Sequence, residues 1–382
     1  MSCMHSVRWV AACVFALAGA SSLTSSACAT SDEQRMDTGE GEGVTLPPPD
    51  AGEPDGASET GGEPAVVPCN PGDLCARTVA VPVRVDDQLT GLWGASPTDI
   101  WAIGSLATVL HFDGESWDRV PVPRDSKDRM LGIWAANPND IWIIQGPQLL
   151  HTDGWKGADT KLEASGPLLK RDPPLVISGW EGRPLTFRRR VFVRQNFLDQ
   201  WEPWTEGQPA SSATLVDFSY EGWYSPLSMA TSKSDIWLVG QAGMTFRLTE
   251  PGPDGGDAAA DAGAWQVSRY DSLTTGNLYG IWTTEGETWV VGDQGVRRFT
   301  AELGHFDPVA VPATESLRGI FAFSRSDLWV VGTNGCILHY DGTSFHRIAS
   351  PTRAALHAVW GVAPDDVWIV GEGTSLHVTR EP

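Results

Sequence analysis

Tyr279, Arg318 and His357 stand at one and the same place in three successive copies of a phrase that recurs through the chain: the position after the first residue of an apolar segment. Other copies put Thr90, Leu131, Ile177 and Leu227 there, so the place varies freely while its flanks stay apolar or small. A phenol, a guanidinium and an imidazole brought to one corner would hold an anionic or hydroxyl-rich ligand. Arg129, with Arg124 and Lys127 in the loop "RDSKDR", adds positive charge to that corner if the loop reaches it.

Other chemistry is offered more often and means less. Asp99, Asp140, Asp235, Asp327 and Asp366 each precede an x-Trp pair, and His111, His151, His339 and His377 share a slot held elsewhere by Arg247 and Arg298. Carboxylates that recur once per repeat sit in different repeats, so a glycosidase pair would have to meet where the repeat holds its members apart. An Asx-type turn, each carboxylate accepting backbone N–H groups, is the reading they favour. Zinc ligands must converge within a few Å, which the spread of the histidines opposes, and no metal site or cofactor is expected. Tryptophan repeats in the same way: Trp93, Trp134, Trp180, Trp282 and Trp360 in one slot, Trp101, Trp142, Trp237, Trp289, Trp329 and Trp368 in a second, and Trp117, Trp155 and Trp265 in a third. Residues repeated at one radius are expected to pack between sheets. Trp201, Trp204 and Trp223 fall outside the repeat and are the better candidates for exposed aromatics.

The phrase itself, "LTGLWGASPTDIWAIG" from 89 or "LHAVWGVAPDDVWIVG" from 356, reads as two short strands about a turn. "TVLHFDGESWDRVPVP" (108–123) and "CILHYDGTSFHRIASP" (336–351) add a third strand, an Asp-Gly hairpin turn and a fourth. Four strands per unit make one propeller blade. Anchors at Trp93, Trp134, Trp180, Ala230, Trp282, Phe321 and Trp360 predict an all-β β-propeller of seven four-stranded blades, six being the alternative because the third has lost its Asp-x-Trp. The last repeat stops one strand short, and "TVAVPVRV" (78–85) is expected to pair with it, closing the ring and hiding two sheet edges.

These motifs resemble the tryptophan-rich repeats of secreted bacterial β-propeller proteins, related in style to BNR or Asp-box propellers, over about residues 78–382. The resemblance implies the fold and leaves the activity open, since such propellers include glycosidases, lyases, binding proteins and assembly factors.

Ahead of the repeats, Arg8 and an apolar run from Trp9 to Ala20 read as a secretory signal over 1–28, too short to span a bilayer comfortably. "SSAC" (25–28) resembles a lipobox, although Ser25 stands where leucine is usual, and would make Cys28 the lipidated first residue; "ACA" (27–29) fits ordinary cleavage instead. Residues 29–66 form an acidic Gly/Pro-rich stretch without aromatics, expected to be a disordered tether to a domain at 67–382. Export makes a disulfide between Cys69 and Cys75 plausible chemistry, and Cys336 fits a buried strand slot. A net charge of -21 excludes a nucleic-acid binder, which needs a basic stripe.

The reading that follows is an exported, lipid-anchored binding or scaffold module for a glycan or a protein at the cell surface, touching the membrane only through its anchor. A sialidase-style hydrolase or lyase would need an arginine cluster, a tyrosine nucleophile and an acid; Tyr279 is near the slot, but Glu285 and Glu287 fall in a turn and no set converges. An envelope assembly factor would dock through the aberrant region 156–223, where Arg183, Arg188, Arg189, Arg190 and Arg194 form a basic patch in an acidic chain.

Overall fold

Apolar residues alternating with polar ones between turn residues fold each copy of the phrase into paired strands. In the first, Leu89–Ser96 pairs antiparallel with Asp99–Gly104, that strand with Val109–Phe112, and that with Trp117–Arg119. The protein is seen here as a computed structural model that describes residues 69–123, 128–165, 174–180, 182–188, 196–200, 215–216, 225–249 and 266–382. Its strands form seven four-stranded antiparallel sheets. Their innermost strands, Leu89–Ser96, Met130–Asn137, Pro174–Trp180, Pro226–Thr231, Leu278–Thr284, Leu317–Ser324 and Leu356–Ala363, each touch the next, and the last touches the first. The fold is an all-β β-propeller.

Six of the sheets are blades built on the phrase, one fewer than the seven expected from its spacing. The remaining sheet, Pro174–Trp180, Arg183–Arg188, Asn196–Gln200 and Leu215–Val216, pairs in the same order without it. Its register also corrects the alignment. Gly91 opposes Ile103, and Trp93 two residues on opposes Trp101; here Val176 opposes Phe187, so Ser178, opposite Leu185, holds the anchor place given to Trp180. Trp180 is buried two residues further along, on the same face of the strand.

Second-slot tryptophans fill the seams between blades, as their repetition predicts. Trp101, Trp142, Trp237, Trp289, Trp329 and Trp368 are all buried. An aromatic from the following blade closes each of several: Trp117 lies edge-on to Trp368, Trp155 edge-on to Trp101, Phe306 against Trp237 and Phe345 against Trp289. First-slot aromatics rest on small residues of the next blade. A methyl group on Gly94 would meet the Trp360 ring at 2.5 Å, and one on Gly179 would meet Trp134 at 2.2 Å, so glycine is what lets these blades approach.

The aspartates before x-Trp do something other than cap the turn. Asp99 accepts the His111 imidazole at 2.9 Å and the Trp101 indole N–H at 3.0 Å; Asp140 does the same with His151 at 2.9 Å and Trp142 at 2.7 Å. Asp327–His339 and Asp366–His377 repeat the pairing at 3.1 and 2.7 Å, and Asp235–Arg247 replaces imidazole with guanidinium at 2.8 Å. The backbone N–H groups of the turn go instead to Ser96, Asn137 and Ser324. Each pair therefore ties the second strand of a blade to its third. Asp113 and Asp341 do cap the hairpin, accepting N–H groups of Glu115 and Ser116, and of Thr343 and Ser344.

Ring closure occurs as expected but with a different segment. Leu74–Val79 pairs with Thr374–Arg380 as the outer strand of the last blade, with Leu74 opposite Arg380. Thr78–Val85 cannot hold that ladder along its length because Pro82 offers no N–H and the chain turns at Val81–Val83. Cys69 is bonded to Cys75 on the closing strand, and Cys336 lies fully buried. Cys28 and the tether 29–66 lie outside the described residues.

Candidate functional site

One irregularity, repeated in every blade, aims the variable side chains at the axis. Strand pairing slips by one residue between Leu278 and Gly280, leaving Tyr279 as the extra residue of a β-bulge. The same slip isolates Thr90, Leu131, Leu227, Arg318 and His357. A bulge residue has no ladder partner and can be re-aimed, here into the channel that the innermost strands enclose. In the sheet lacking the phrase the slip falls between Pro174 and Val176, so the equivalent residue is Leu175 and not Ile177. Ile177 lies two residues further along the strand.

The channel holds a cavity of about 220 Å³ with its side chains in layers. At the mouth stand Thr90, Leu131, Leu227, Tyr279, Arg318 and His357. Below them Gly91, Gly132, Gly280, Gly319, Ser228 and Ala358 keep the wall thin: a methyl on Gly280 would meet the Arg318 carbonyl at 3.2 Å and one on Gly319 the His357 carbonyl at 2.8 Å. Deeper still, Leu92, Ile133, Ile177, Met229, Ile281 and Ile320, with Val359, border the channel, while their side chains pack into the hydrophobic cores. The mouth is divided. Leu131, Leu227 and Thr90 are on one side, and Tyr279, Arg318 and His357 come from three consecutive blades on the other.

Tyr279, Arg318 and His357 thus meet as the sequence suggests. The Arg318 guanidinium lies over the Tyr279 ring at 3.9 Å from its centre. Tyr279 is held in turn, its hydroxyl accepting the Asn277 side-chain N–H at 3.1 Å and donating to Asp293 at 3.4 Å. Asp293 also accepts Ser316 at 2.7 Å and the Asn277 backbone N–H at 3.1 Å. Burial alone would raise the Asp293 carboxyl, but these bonds and the nearby Arg318 charge hold it below the usual carboxylate range. Three hydrogen bonds within the protein hold it in place, and the carboxylate stays exposed to solvent.

Arg318 and His357 have fewer partners. The buried Arg318 Nε and His357 Nε2 have no hydrogen-bond partner. Glu372 approaches the His357 ring only to 4.0 Å, and Arg129 reaches Gln88 at a long 3.4 Å. Burial pushes His357 below the ordinary histidine value; Glu372 opposes that shift, while Arg318 and Arg129 reinforce it. Arg129 acts on the imidazole only through its charge and does not line the cavity. Asn277, Asp293 and Glu372 were missed in the sequence because they sit in loops outside the phrase; their signal was adjacency to the variable position.

Glu287 is far from this corner. It pairs opposite Thr284, at the other end of the strand from Tyr279, and accepts the Trp289 indole at 3.0 Å. Of the basic patch, Arg183 is exposed on its strand, while Arg189, Arg190 and the Arg188 side chain lie outside what the structure describes, as do Arg124, Lys127, Trp201, Trp204, Trp223 and Trp265.

No protein-family model matches the chain, and no curated protein matches it in sequence. Solved structures do match in shape. YCF48 bound to a D1 peptide is similar with a TM-score of 0.58 at 16% identity, over 82% of this chain and 98% of that one. A streptogramin B lyase gives 0.61 at 13%, over 80% and 97%. The WD40 β-propeller domain of Doa1 gives 0.57 at 8%, over 81% and 95%. The chain is a β-propeller. Identities this low carry the fold alone, and a peptide binder, a lyase and a WD40 domain on one architecture leave function to the side chains of this one.

Proposed function

We propose that the protein is an exported, lipid-anchored β-propeller that acts as a non-enzymatic binding module at the cell surface, with its ligand seated at the channel mouth. In this reading the sheet Pro174–Val216 counts as a seventh blade, the tryptophan-rich repeats place the chain with the secreted BNR-like propellers, and Cys28 carries the lipid. One observation carries it: the buried Arg318 Nε and His357 Nε2, without hydrogen-bond partners in the protein, converge where the blades differ. A sialidase-style centre would need an arginine cluster, a tyrosine nucleophile with an acidic partner and an acid catalyst. Tyr279 has Asp293 beside it at 3.4 Å, but Arg318 is the single arginine among the described residues that line the cavity, and Glu287 lies at the far end of its strand.

Affinity capture on the immobilised chain, against envelope polysaccharides and secreted proteins, tests the site. Capture lost in Arg318→Ala/His357→Ala supports the channel mouth; equal capture by both forms moves the ligand to another face. The intact mass of the mature protein separates a lipidated Cys28 from simple cleavage after Ala29.

A further inference from the structure

Arg297 breaks the repeat inside the protein rather than at its surface. It pairs opposite Val290, the residue after a second-slot tryptophan. In five other blades the residues in register with it are Leu110, Leu150, Phe246, Leu338 and Leu376, all buried. Arg297 is buried too, at 5% exposure, and no carboxylate of the described residues pairs with it. Its Nη1 donates to the Gln294 carbonyl at 3.0 Å and its Nη2 to the Leu273 carbonyl at 3.4 Å, while its Nε has no partner. A charge taken out of water without a counter-charge costs stability, and leucine fills the same place elsewhere without that cost. Burial accordingly pushes the guanidinium below its ordinary value.

The two carbonyls show what the charge holds. They belong to loops 270–277 and 293–294, which flank the strands of this blade. Beyond Arg297 the same loops are joined by the Thr274 hydroxyl, which donates to the Gln294 side-chain oxygen at 2.8 Å. The Asn277 N–H donates to the Asp293 carboxylate at 3.1 Å, and the Asp293 N–H to the Asn277 carbonyl at 3.0 Å. Asn277 and Asp293 are also the residues that hold the Tyr279 hydroxyl, and the Tyr279 ring is the platform on which Arg318 lies. The exception at 297 and the exception at 279 therefore fall in one blade and are joined by two loops. Leu273 is a separate sign of restraint. Its φ of 51° lies in the left-handed region, which a bulky side chain avoids unless its surroundings hold it there, and Arg297 bonds its carbonyl.

We propose that Arg297 is a positioning residue for the channel mouth, clasping loops 270–277 and 293–294 so that Asn277 and Asp293 present Tyr279, and through it Arg318, in one fixed arrangement. This rests on the channel mouth being the binding site. Arginine suits the task where leucine does not, because its fork of N–H donors reaches two carbonyls at once.

Hydrogen exchange of the full mature chain, read at single amides by NMR, separates this role from a merely structural one. Arg297→Leu installs the residue found in register in four other blades. It is expected to leave the urea midpoint unchanged or to raise it. The Asn277 and Asp293 amides should nonetheless exchange at least about tenfold faster, the factor that one hydrogen bond to a charged group supplies. The Thr333 amide, which makes the equivalent bond to the Ser316 carbonyl in the next blade, is the internal control and should not change. Arg297→Lys, which keeps a charge and a donor, should restore part of the protection. Capture of envelope polysaccharides and secreted proteins should fall in Arg297→Leu for the same species that Arg318→Ala/His357→Ala loses. Unchanged exchange at Asn277 and Asp293 overturns the proposal. So does a variant that is less stable throughout, with Thr333 exchanging faster as well, since Arg297 then serves the core. Faster exchange with capture intact overturns it too, because the site then works without fixed loops. If capture ignores Arg318→Ala/His357→Ala, the channel-mouth reading fails first and takes the positioning role with it, whatever the exchange rates.

Discussion

The Arg318 guanidinium carbon sits 3.9 Å from the centre of the Tyr279 ring, and that ring is fixed from behind by Asn277 and Asp293. A side chain with this many torsions loses much entropy when a ligand immobilises it. Stacking on a ring that is already anchored restrains it before the ligand arrives, so the pair forms a prepared surface rather than two exposed groups.

From this follows a graded effect at position 279. Tyr279→Phe keeps the ring and loses the hydroxyl bonds; Tyr279→Ala removes the platform. Phe is expected to weaken anion binding slightly and Ala by about 1 kcal/mol, the scale of a cation–π contact. Global stability should change little, because the residue lines an open channel. Titration of the three forms with one probe carboxylate tests the order, and an Ala variant that binds as well as the parent removes Tyr279 from the site.

Inside the first blade, Asp99 serves two buried donors at once. His111 is fully buried, stacks on Trp155 with ring centres 4.1 Å apart, and meets Asp99 at 2.9 Å, while the Trp101 indole shares the same oxygen. Asp99→Ala strands both donors and is expected to cost about 3 kcal/mol, whereas Asp99→Asn keeps an acceptor and should cost about 1. Asp140 makes the equivalent bonds from a more open position, its carboxylate and the His151 ring each about one-third exposed. Asp140→Ala should therefore lose less than Asp99→Ala in urea unfolding. Equal losses would mean that the bond, not its burial, sets the cost.

How far these features could be read from the sequence differs by element. The phrase ending in Asp-x-Trp announced the strands, the hairpin at Asp113–Gly114 and the burial of Trp101, because a residue repeated once per blade has one structural job. The meeting of Tyr279, Arg318 and His357 was legible for the converse reason, as a place where the repeat imposes nothing. What the Asp residues bond was not legible: turn propensity suggests backbone N–H groups, and only the register of the third strand places His111 opposite Trp101 and within reach of Asp99. Trp180 misled the alignment, since without Asp-x-Trp a tryptophan two residues out of place looks like the anchor that Ser178 occupies.

Glu315 provides a pH test away from the site. Its carboxylate accepts Arg347 at 2.6 Å, and chiefly through that bond its pKa is held down at about 2. A carboxyl depressed in the folded state adds stability above its unfolded value, near 4.5, and loses that contribution as the pH falls toward 2. Arg347 is 41% exposed, so solvent screening reduces the effect to about 1 kcal/mol. Glu315→Gln should therefore be less stable than the parent at pH 6 and converge with it between pH 4.5 and 2. Thermal melts at several pH values read this directly; a constant difference across the range would show that the ion pair contributes nothing.

Closure of the ring gives the last test. Leu74–Val79 is the outer strand of the final blade, contributed from the opposite end of the repeat region, and Cys69–Cys75 pins its start. Without that strand Thr374–Arg380 becomes an open edge, with unpaired N–H and C=O groups along its length, which invites pairing between molecules. The disulfide closes only a short loop, so Cys69→Ser/Cys75→Ser should cost about 2 kcal/mol while leaving the strand in place. Deleting the segment up to Val79 should cost much more and produce concentration-dependent association. Light scattering beside thermal melts distinguishes the two. If the deletion behaves like the double serine variant, the ladder to Thr374–Arg380 adds nothing beyond the covalent bond, and the ring is held instead by the packing of Leu356–Ala363 against Leu89–Ser96.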